Sequence, residues 1–234
     1  LYDYVLPISN YWKNRLIELG CPEGKIYVHH MGINVDEFQS VERKERDVFS
    51  VLTVGRMVEK KGHVFALYAM KKVVEKVKSV EYLIVGDGPL EEELKKLVDT
   101  LELQSHVKFL GSVTSEIVLK LCQNTDLFLL PSVVAKDGDS EGIPVVLMEA
   151  MAMNLPIVSS IHTGIPELVK DGISGYLVPE KDVQGLADRI LQLIQNKDLR
   201  KTMGQEGRKV VQKEFNIDLL SKDILNLINH KEIK

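Results

Sequence analysis

The feature that most constrains the fold of this chain is the alternation, from residue 49 onward, of short apolar runs with longer amphipathic segments. The runs are rich in Val, Ile, Leu and Phe and are bounded by Gly, Pro or polar residues, which is the pattern of buried strands. Strands that alternate with helices at this spacing form right-handed βαβ units. The sequence therefore predicts an α/β fold, a Rossmann-like doubly wound parallel sheet of about six strands with helices on both faces. The predicted strands are Phe49–Gly55, Tyr82–Gly86, Val107–Gly111, Asp126–Pro131, Pro156–Ser160 and Gly175–Val178.

Helical periodicity marks the segments between these strands and both ends of the chain. For the helix that starts at Pro89, Asp87 or Gly88 is the predicted cap, because proline suits the first helical position. Two earlier apolar runs, Tyr4–Ser9 and Lys25–His29, predict additional strands, and the charge run 42–47 predicts a solvated loop. The predicted helices are Tyr11–Leu19, Gly62–Lys78, Pro89–Leu101, Ser115–Gln123, Pro144–Met153 and, from Asp182 onward, helices with breaks near Lys197 and Phe215.

The chain begins at Leu1, with an apolar run close behind it. This favours a piece of a longer protein, whose missing part would precede residue 1. We predict that residues 1–40 pack on a main domain of residues 41–215, and that 216–234 form a carboxyl-terminal helix. In the final helices, Leu220, Leu225 and Ile228 are expected to leave apolar surface exposed for the missing part.

Composition excludes several classes of protein. The net charge of -4 does not provide the positive surface that binds nucleic acid, so a bound anion must be held by local positive charge. No apolar stretch approaches the ~20 residues that cross a bilayer, and no signal peptide is present. Cys21 and Cys122 lack metal-type spacing, which favours reduced thiols. We expect a cytoplasmic protein. Any contact with the inner face of the membrane is expected to be made by the missing part.

A cationic turn joins the first predicted strand to its helix, and ligands of such sheets bind at the carboxyl ends of the strands. Arg56 and Lys61 bracket this turn, and the helix begins near Gly62. A guanidinium, an ammonium and free helix amides together suit a diphosphate. A plain surface loop with ordinary Arg and Lys residues is the alternative interpretation.

Two carboxylates stand near the predicted helix that starts at Pro144. Glu141 precedes Gly142, whereas Glu149 lies inside the apolar run 145–153 with no Lys or Arg within a helical turn. A charge in such a run costs several kcal/mol unless it is paired. A half-buried Glu solvated at its tip and a distant internal partner both remain open. We favour a ligand, such as the two hydroxyls of a ribose.

Four motifs in order resemble one protein family. They are Val54–Gly62, the pair Glu141 and Glu149, Thr163–Glu167, and Lys170–Val178. Together they resemble the nucleotide-sugar-binding half of a retaining glycosyltransferase of the two-Rossmann-domain (GT-B) type, in the group 1 family. The stretch 137–149 is similar to members that build bacterial exopolysaccharide or lipopolysaccharide. The segment Met31–Phe38 departs from the family's Asn-Gly-x-Asp pattern, and we assign it no catalytic role.

The resemblance implies the carboxyl-terminal, donor-binding half of an enzyme. This enzyme would move a sugar from a nucleoside-diphosphate sugar, a UDP-sugar, to a glycan or lipid-linked acceptor held by a missing amino-terminal domain. No cofactor or metal would be required, and the fragment alone would bind nucleotide but transfer little sugar. Arg56 and Lys61 would hold the diphosphate and stabilise its developing charge, while Glu149 would bind the ribose. Glu141 would face the donor sugar with the main chain of Gly142, Ile143, Pro144 and Val145, and the backbone from Gly111 to Val113 would contact the base.

Other patterns are weaker signals. Asp137 and Asp139 form an Asp-x-Asp triplet that could hold a cation beside a diphosphate, but solvent exposure is the simpler interpretation. The Gly86–Gly88 turn lacks the third glycine of a dinucleotide fingerprint. His162 is expected to be structural or exposed. His29 and His30 have no Cys, Asp or Glu at the spacing of zinc ligands.

Two rival functions remain. A nucleotide-sugar 2-epimerase of the same fold would convert UDP-GlcNAc without an acceptor. A non-catalytic module that only binds nucleotide sugars would show no turnover with any acceptor.

Overall fold

The computed structural model describes residues 3–41, 43 and 46–229. Its centre is one six-stranded sheet in the order β3-β2-β1-β4-β5-β6, and every neighbouring pair is parallel. The strand order reverses between β1 and β4, so a crevice opens at the carboxyl ends of these two strands. The predicted fold class is confirmed. The strands are β1 (Phe49–Val54), β2 (Val80–Val85), β3 (Val107–Gly111), β4 (Leu127–Leu130), β5 (Ile157–Ser160) and β6 (Gly175–Val178).

Helices cover both faces of the sheet. Successive residues of β1 point to opposite faces, so Val51 joins one apolar core with Leu67 while Leu52 joins the other with Leu147. Because both faces are buried, the strands show continuous apolar runs rather than alternation. The α-helices of the described residues are α1 (Asn10–Glu18), α2 (His63–Lys76), α3 (Glu91–Thr100), α4 (Ser115–Gln123), α5 (Val145–Ala152), α6 (Ile165–Leu168), α7 (Val183–Gln195), α8 (Lys197–Glu214) and α9 (Ile217–Asn229).

The start of α3 differs from the prediction. The helix begins at Glu91 with Leu90 as its N-cap and no side-chain cap, so Asp87 and Gly88 do not cap it. The side chain of Asp87 accepts a hydrogen bond from Ser112 instead, and its carbonyl accepts the Met57 N–H. The turn at Asp87 therefore bonds to neighbouring loops rather than capping the helix.

The amino-terminal segment does not form the two predicted strands. A single parallel bridge joins Val5 to Ile26, apart from the main sheet. Glu167 anchors the segment by accepting hydrogen bonds from the backbone and side-chain nitrogens of Asn10 and lying 2.9 Å from His30 Nε2. The His30 ring packs on Phe215, with 5.0 Å between the centroids.

The carboxyl-terminal helix leaves part of its apolar side exposed. Leu225 and Ile228 are 56% and 65% exposed, as expected, whereas Leu220 is half-buried. The predicted helix 216–234 extends into residues 230–234, which lie outside the described residues, as do residues 42, 44 and 45 of the predicted loop. In the described part of the chain, both cysteines are free and no helix is long and apolar enough to cross a bilayer.

Candidate functional site

The cationic turn has a backbone that only glycine fits. After β1 the chain forms a short 3-10 turn, Glu59–Lys61, and α2 begins directly after Gly62. Gly62 has a φ of 69°, and a Cβ built there would lie 1.9 Å from the carbonyl oxygen of Pro131. This close approach seats the amino terminus of α2, which has no side-chain cap, against the chain that leaves β4. Free amide groups and partial positive charge are thus present at that edge.

Lys61 and Arg56 occupy this turn in different ways. Lys61 is largely buried, with its Nζ 3.1 Å from Oε2 of Glu141 and its stem over Gly55. Arg56 is exposed, and its guanidinium makes no hydrogen bond or ion pair within the described part of the chain. The carbonyl oxygen of Arg56 lies 3.1 Å from Nε2 of the buried His63 side chain. Burial lowers the pKa of His63 to about 4. The neutral imidazole thus contacts the main chain of the turn, while the Arg56 guanidinium is exposed.

Glu141 lies on the loop between β4 and α5 and faces the cationic turn. It is 8% exposed, and Lys60 Nζ is 3.9 Å from its Oε1 while Lys61 contacts Oε2. Oε1 makes no hydrogen bond within the residues that the structure describes. The two lysines therefore offset the cost of burying this carboxylate.

The Asp-x-Asp triplet is occupied by protein contacts. Lys60 Nζ lies 3.0 Å from Asp139, and Asp137 accepts the Asp139 N–H. Across residues 3–41, 43 and 46–229, no group of three or more His, Cys, Asp or Glu side chains is arranged to hold a metal. The acidic triplet thus serves as the partner of a lysine in this structure.

Glu149 lies midway along α5 and is half-buried. Its carboxylate makes no hydrogen bond or ion pair with a described residue, and burial raises its pKa. Burial, together with the charge of Glu149, raises the pKa of the Cys122 thiol to about 12. The distant internal partner left open by the sequence is absent from the described residues, so the carboxylate is available to a ligand.

The remaining candidates lie at the same edge of the sheet. Gly111 ends β3 with a φ of 66°, and its carbonyl accepts the Gly86 N–H, while Val113 beyond it is half-buried. Gly142 packs against Ile8, because a Cβ there would lie 2.2 Å from the Ile8 methyl carbon. Buried Ile143 and Pro144 lead into α5, which starts at Val145 without a side-chain cap. Of the predicted site residues, the structure brings Lys61 and Glu141 into direct contact, and within the described chain neither makes a hydrogen bond or ion pair with Arg56, Glu149, Gly111 or Val113.

Two cavities lie at opposite edges of the sheet. One of about 480 Å³ lies between α1 and the loop that carries Glu141, with Tyr11, Trp12 and Ser140 among its walls. Another, of about 870 Å³, lies at the opposite edge of the sheet beside Arg43 and Asp126 and contains no candidate residue. The smaller cavity is the one adjacent to the candidate site.

His162 and Glu180 were not predicted as site residues. The His162 side chain is fully buried, so an exposed position is wrong, and its ring contacts the Glu141 N–H and the Glu180 carboxylate. No local spacing could have signalled this, because the three residues follow different strands. Their burial and their contacts appear only once the strands are assembled.

The fold places this chain among the Rossmann-like α/β proteins. The profile of the family "Glycosyl transferases group 1" matches residues 34–210, and the chain belongs to that family. It is 40% identical over 230 residues to the amylovoran biosynthesis glycosyltransferase AmsK of Erwinia amylovora. It is 39% identical over 228 residues to WcaL of Escherichia coli strain K12, provisionally named a colanic acid biosynthesis glycosyltransferase. Both alignments cover 97% of this chain but 56% of the relative, so the chain spans about half the length of these relatives.

A solved structure shares the fold. Anabaena HepE, crystallised with UDP-glucose, superposes with a TM-score of 0.84 over 98% of this chain and 64% of HepE, at 21% identity. At this identity the likeness concerns the fold alone. The family profile and the two curated relatives confirm the resemblance to the group 1 glycosyltransferases.

Proposed function

We propose that this chain is the carboxyl-terminal, donor-binding half of a retaining glycosyltransferase. The enzyme would move a sugar from a nucleoside-diphosphate sugar, a UDP-sugar, to a glycan or lipid-linked acceptor. The observation that carries the proposal is the Lys61–Glu141 ion pair at the carboxyl edge of the sheet, beside the unpartnered Arg56. The family membership and the polysaccharide names of the two relatives support it.

The charge balance of the turn suits a diphosphate. Lys60 and Lys61 are paired with Asp139 and Glu141, whereas the guanidinium of Arg56 has no partner within the described part of the chain and lies near the amino terminus of α2. An arriving diphosphate supplies the missing negative charge and accepts hydrogen bonds from the free helix amides. Its binding to Lys61 would weaken the hold of that lysine on Glu141.

The same groups would assist the chemistry. When the bond between the sugar and the diphosphate breaks, negative charge grows on the departing oxygen. Lys61 and Arg56 would be placed to stabilise that charge, and interactions that strengthen as charge develops lower the barrier. Glu141, released from Lys61, would then accept a hydrogen bond from the donor sugar.

Glu149 would bind the ribose of the nucleotide. A carboxylate has two oxygens that can each accept a hydroxyl, so one side chain can hold both the 2′- and 3′-hydroxyls. The half-buried, unpartnered state of Glu149 supports this role, because the cost of its burial needs compensation that no described residue supplies. The backbone from Gly111 to Val113 would contact the base.

The whole protein would work at the cytoplasmic face of the membrane, with the acceptor held by an amino-terminal domain. No metal or other cofactor would be needed, since the lysines and Arg56 would balance the diphosphate. Retention of anomeric configuration follows from the resemblance and is tested by the configuration of the product bond.

Calorimetric titration of the 234-residue chain with UDP, GDP, UDP-glucose and GDP-mannose tests the proposal. We expect one nucleotide and its sugar to bind with or without EDTA. Arg56→Ala should weaken this binding without altering thermal unfolding, because the side chain is exposed and unpartnered, and Lys120→Ala on α4 is the control. If neither UDP nor GDP binds at millimolar concentration to folded protein, the proposal fails.

A further inference from the structure

A buried hydrogen-bonded unit lies behind Glu141, on the side away from the lysines. The His162 side chain is fully buried in the loop after β5. Its Nε2 is 3.1 Å from the Glu141 nitrogen, and its Nδ1 is 2.6 Å from Oε1 of Glu180. A backbone N–H can only donate, so Nε2 accepts and the ring proton resides on Nδ1, directed at Glu180. Both ring nitrogens are thus committed.

Glu180 extends this unit to a second point of the same loop. It follows β6, and its Oε2 accepts the Val134 N–H at 3.0 Å. The loop from β4 to α5 is therefore held at Val134 and at Glu141 by one histidine–carboxylate pair. Because all these contacts are at main-chain nitrogens, they fix the path of the backbone rather than the side chain of Glu141.

The neighbouring residue reinforces this arrangement. Thr163 has a φ of 41°, a left-handed conformation that is strained for a non-glycine residue. Its hydroxyl donates to the Gly142 carbonyl at 3.0 Å, directly after Glu141. The loop after β5 thus adopts a strained backbone while it holds the peptide group before Glu141 and the peptide group after Gly142.

We infer that His162 and Glu180 are positioning residues for the sugar end of the donor. His162 holds the main chain of Glu141, and Glu180 holds His162 and the main chain of Val134; within the described chain neither makes a hydrogen bond or ion pair with Arg56 or Lys61. This inference rests on the proposed function, in which Glu141 faces the sugar and the cationic turn holds the diphosphate. Its consequence is selective: disturbing the pair impairs recognition of the sugar and leaves recognition of the nucleotide unchanged.

Two substitutions of His162 separate its two hydrogen bonds. In His162→Gln the longer side chain can place an oxygen where Nε2 now lies, so the Glu141 N–H keeps its acceptor. In His162→Asn the shorter side chain can donate to Glu180 from the position of Nδ1, but the Glu141 N–H loses its acceptor. The control is His106→Gln, which removes a histidine bonded to the Val80 carbonyl near the far edge of the sheet.

The measured quantity is the ratio of the dissociation constants of UDP-glucose and UDP, or of GDP-mannose and GDP if the guanine nucleotide binds. We expect His162→Asn to change this ratio about five- to tenfold, through weaker binding of the nucleotide sugar, with nucleotide affinity within twofold of the parent. His162→Gln and His106→Gln should keep the parental ratio. Glu180→Gln, which replaces the acceptor of Val134 with an amide, is the second variant if His162→Asn does not fold, and it should change the ratio in the same direction.

Two outcomes would overturn the inference. One is an unchanged ratio in His162→Asn and Glu180→Gln. The other is an equal loss of affinity for the nucleotide and for the nucleotide sugar, accompanied by a loss of thermal stability. That result would show that His162 has only a structural role. If the parent chain binds neither UDP nor GDP, the proposed function itself fails, and that result is distinct because it precedes any substitution.

Discussion

Lys61 Nζ lies 3.1 Å from Oε2 of Glu141 and joins the turn after β1 to the loop after β4. Both side chains are at most 14% exposed, so this pair is sheltered from solvent. Removing one partner of such a pair leaves the other charge buried, which costs more than the pair itself contributes. Lys61 is therefore shared between holding Glu141 and, in our proposal, holding the diphosphate.

Lys61→Met should lower the affinity for UDP by about 10–100-fold and the affinity for UMP much less. The reason is that a charged hydrogen bond contributes about 1.5–3 kcal/mol and UMP lacks the second phosphate. Calorimetry with both nucleotides measures the change, and Lys120→Met on α4 is the control. An equal loss for UDP and UMP would place Lys61 away from the diphosphate.

The stability of that variant gives a second readout. Lys61→Met leaves Glu141 with Lys60 alone, at 3.9 Å, so the protein should unfold at lower urea concentration. Adding Glu141→Gln should restore much of this stability because no buried charge is then left unpaired. The double variant should still bind UDP weakly.

Glu149→Gln should weaken nucleotide binding about tenfold while making the folded protein more stable at pH 7. Nucleotide binding weakens because the ribose loses a charged hydrogen-bond acceptor. The folded protein becomes more stable because a half-buried, unpaired charge is removed. Because burial raises the pKa of Glu149, its ionisation destabilises the fold above the folded-state pKa. The stability difference should therefore vanish as the pH falls below the ordinary value of 4.5.

Urea unfolding of Glu149→Gln and the parent between pH 4 and pH 8 measures this difference. Glu75→Gln, an exposed position on α2, is the control and should change neither property. A variant that loses stability at pH 7 would indicate a structural partner for Glu149.

The sheet was predictable because its central strands are buried on both faces. Val51 and Leu52 of β1 enter opposite cores, so consecutive apolar residues were needed there and stood out in the sequence. Lys25–His29 carries a similar apolar signal but forms only a bridge, because a propensity for extended structure does not supply a neighbouring strand.

The candidate site could be proposed from the sequence where one short segment carries it. The cationic turn and the buried run around Glu149 are local features. The contact of His162 with Glu180 is not, because it depends on how β5 and β6 lie side by side. The lack of a partner for Glu149 could likewise be settled only by the packed structure.

Gly62→Ala should destabilise the protein by at least about 2 kcal/mol. An alanine would carry the cost of a left-handed backbone, and its Cβ would also meet the Pro131 carbonyl at 1.9 Å. Gly172→Ala is a matched control, since its φ of 73° is similar but nothing lies within 4 Å of the added carbon. Gly172→Ala should cost about 1–2 kcal/mol in urea unfolding. Equal losses in the two variants would show that the contact with Pro131 does not matter.

Glu167→Gln should loosen the amino-terminal segment before the sheet unfolds. Burial raises the pKa of Glu167, but the hydrogen bonds from His30 and Asn10 lower it by a larger amount. The pKa of Glu167 therefore lies below its ordinary value. The carboxylate therefore contributes stability above the unfolded-state value near 4.5, and this contribution is lost as the pH falls through the folded-state pKa. An amide would turn one acceptor into a donor facing the Asn10 nitrogens, so we expect a loss of about 1–2 kcal/mol at pH 7 that shrinks in acid.

Trp12 makes this loosening directly measurable, because it is the single tryptophan of the sequence and lies on α1, next to the contacts of Glu167. In Glu167→Gln its fluorescence should change at lower urea than the circular dichroism of the sheet, whereas the two transitions should coincide in Glu75→Gln. Coincident transitions in Glu167→Gln at pH 7 would mean that other contacts, such as the packing of His30 on Phe215, hold the segment in place.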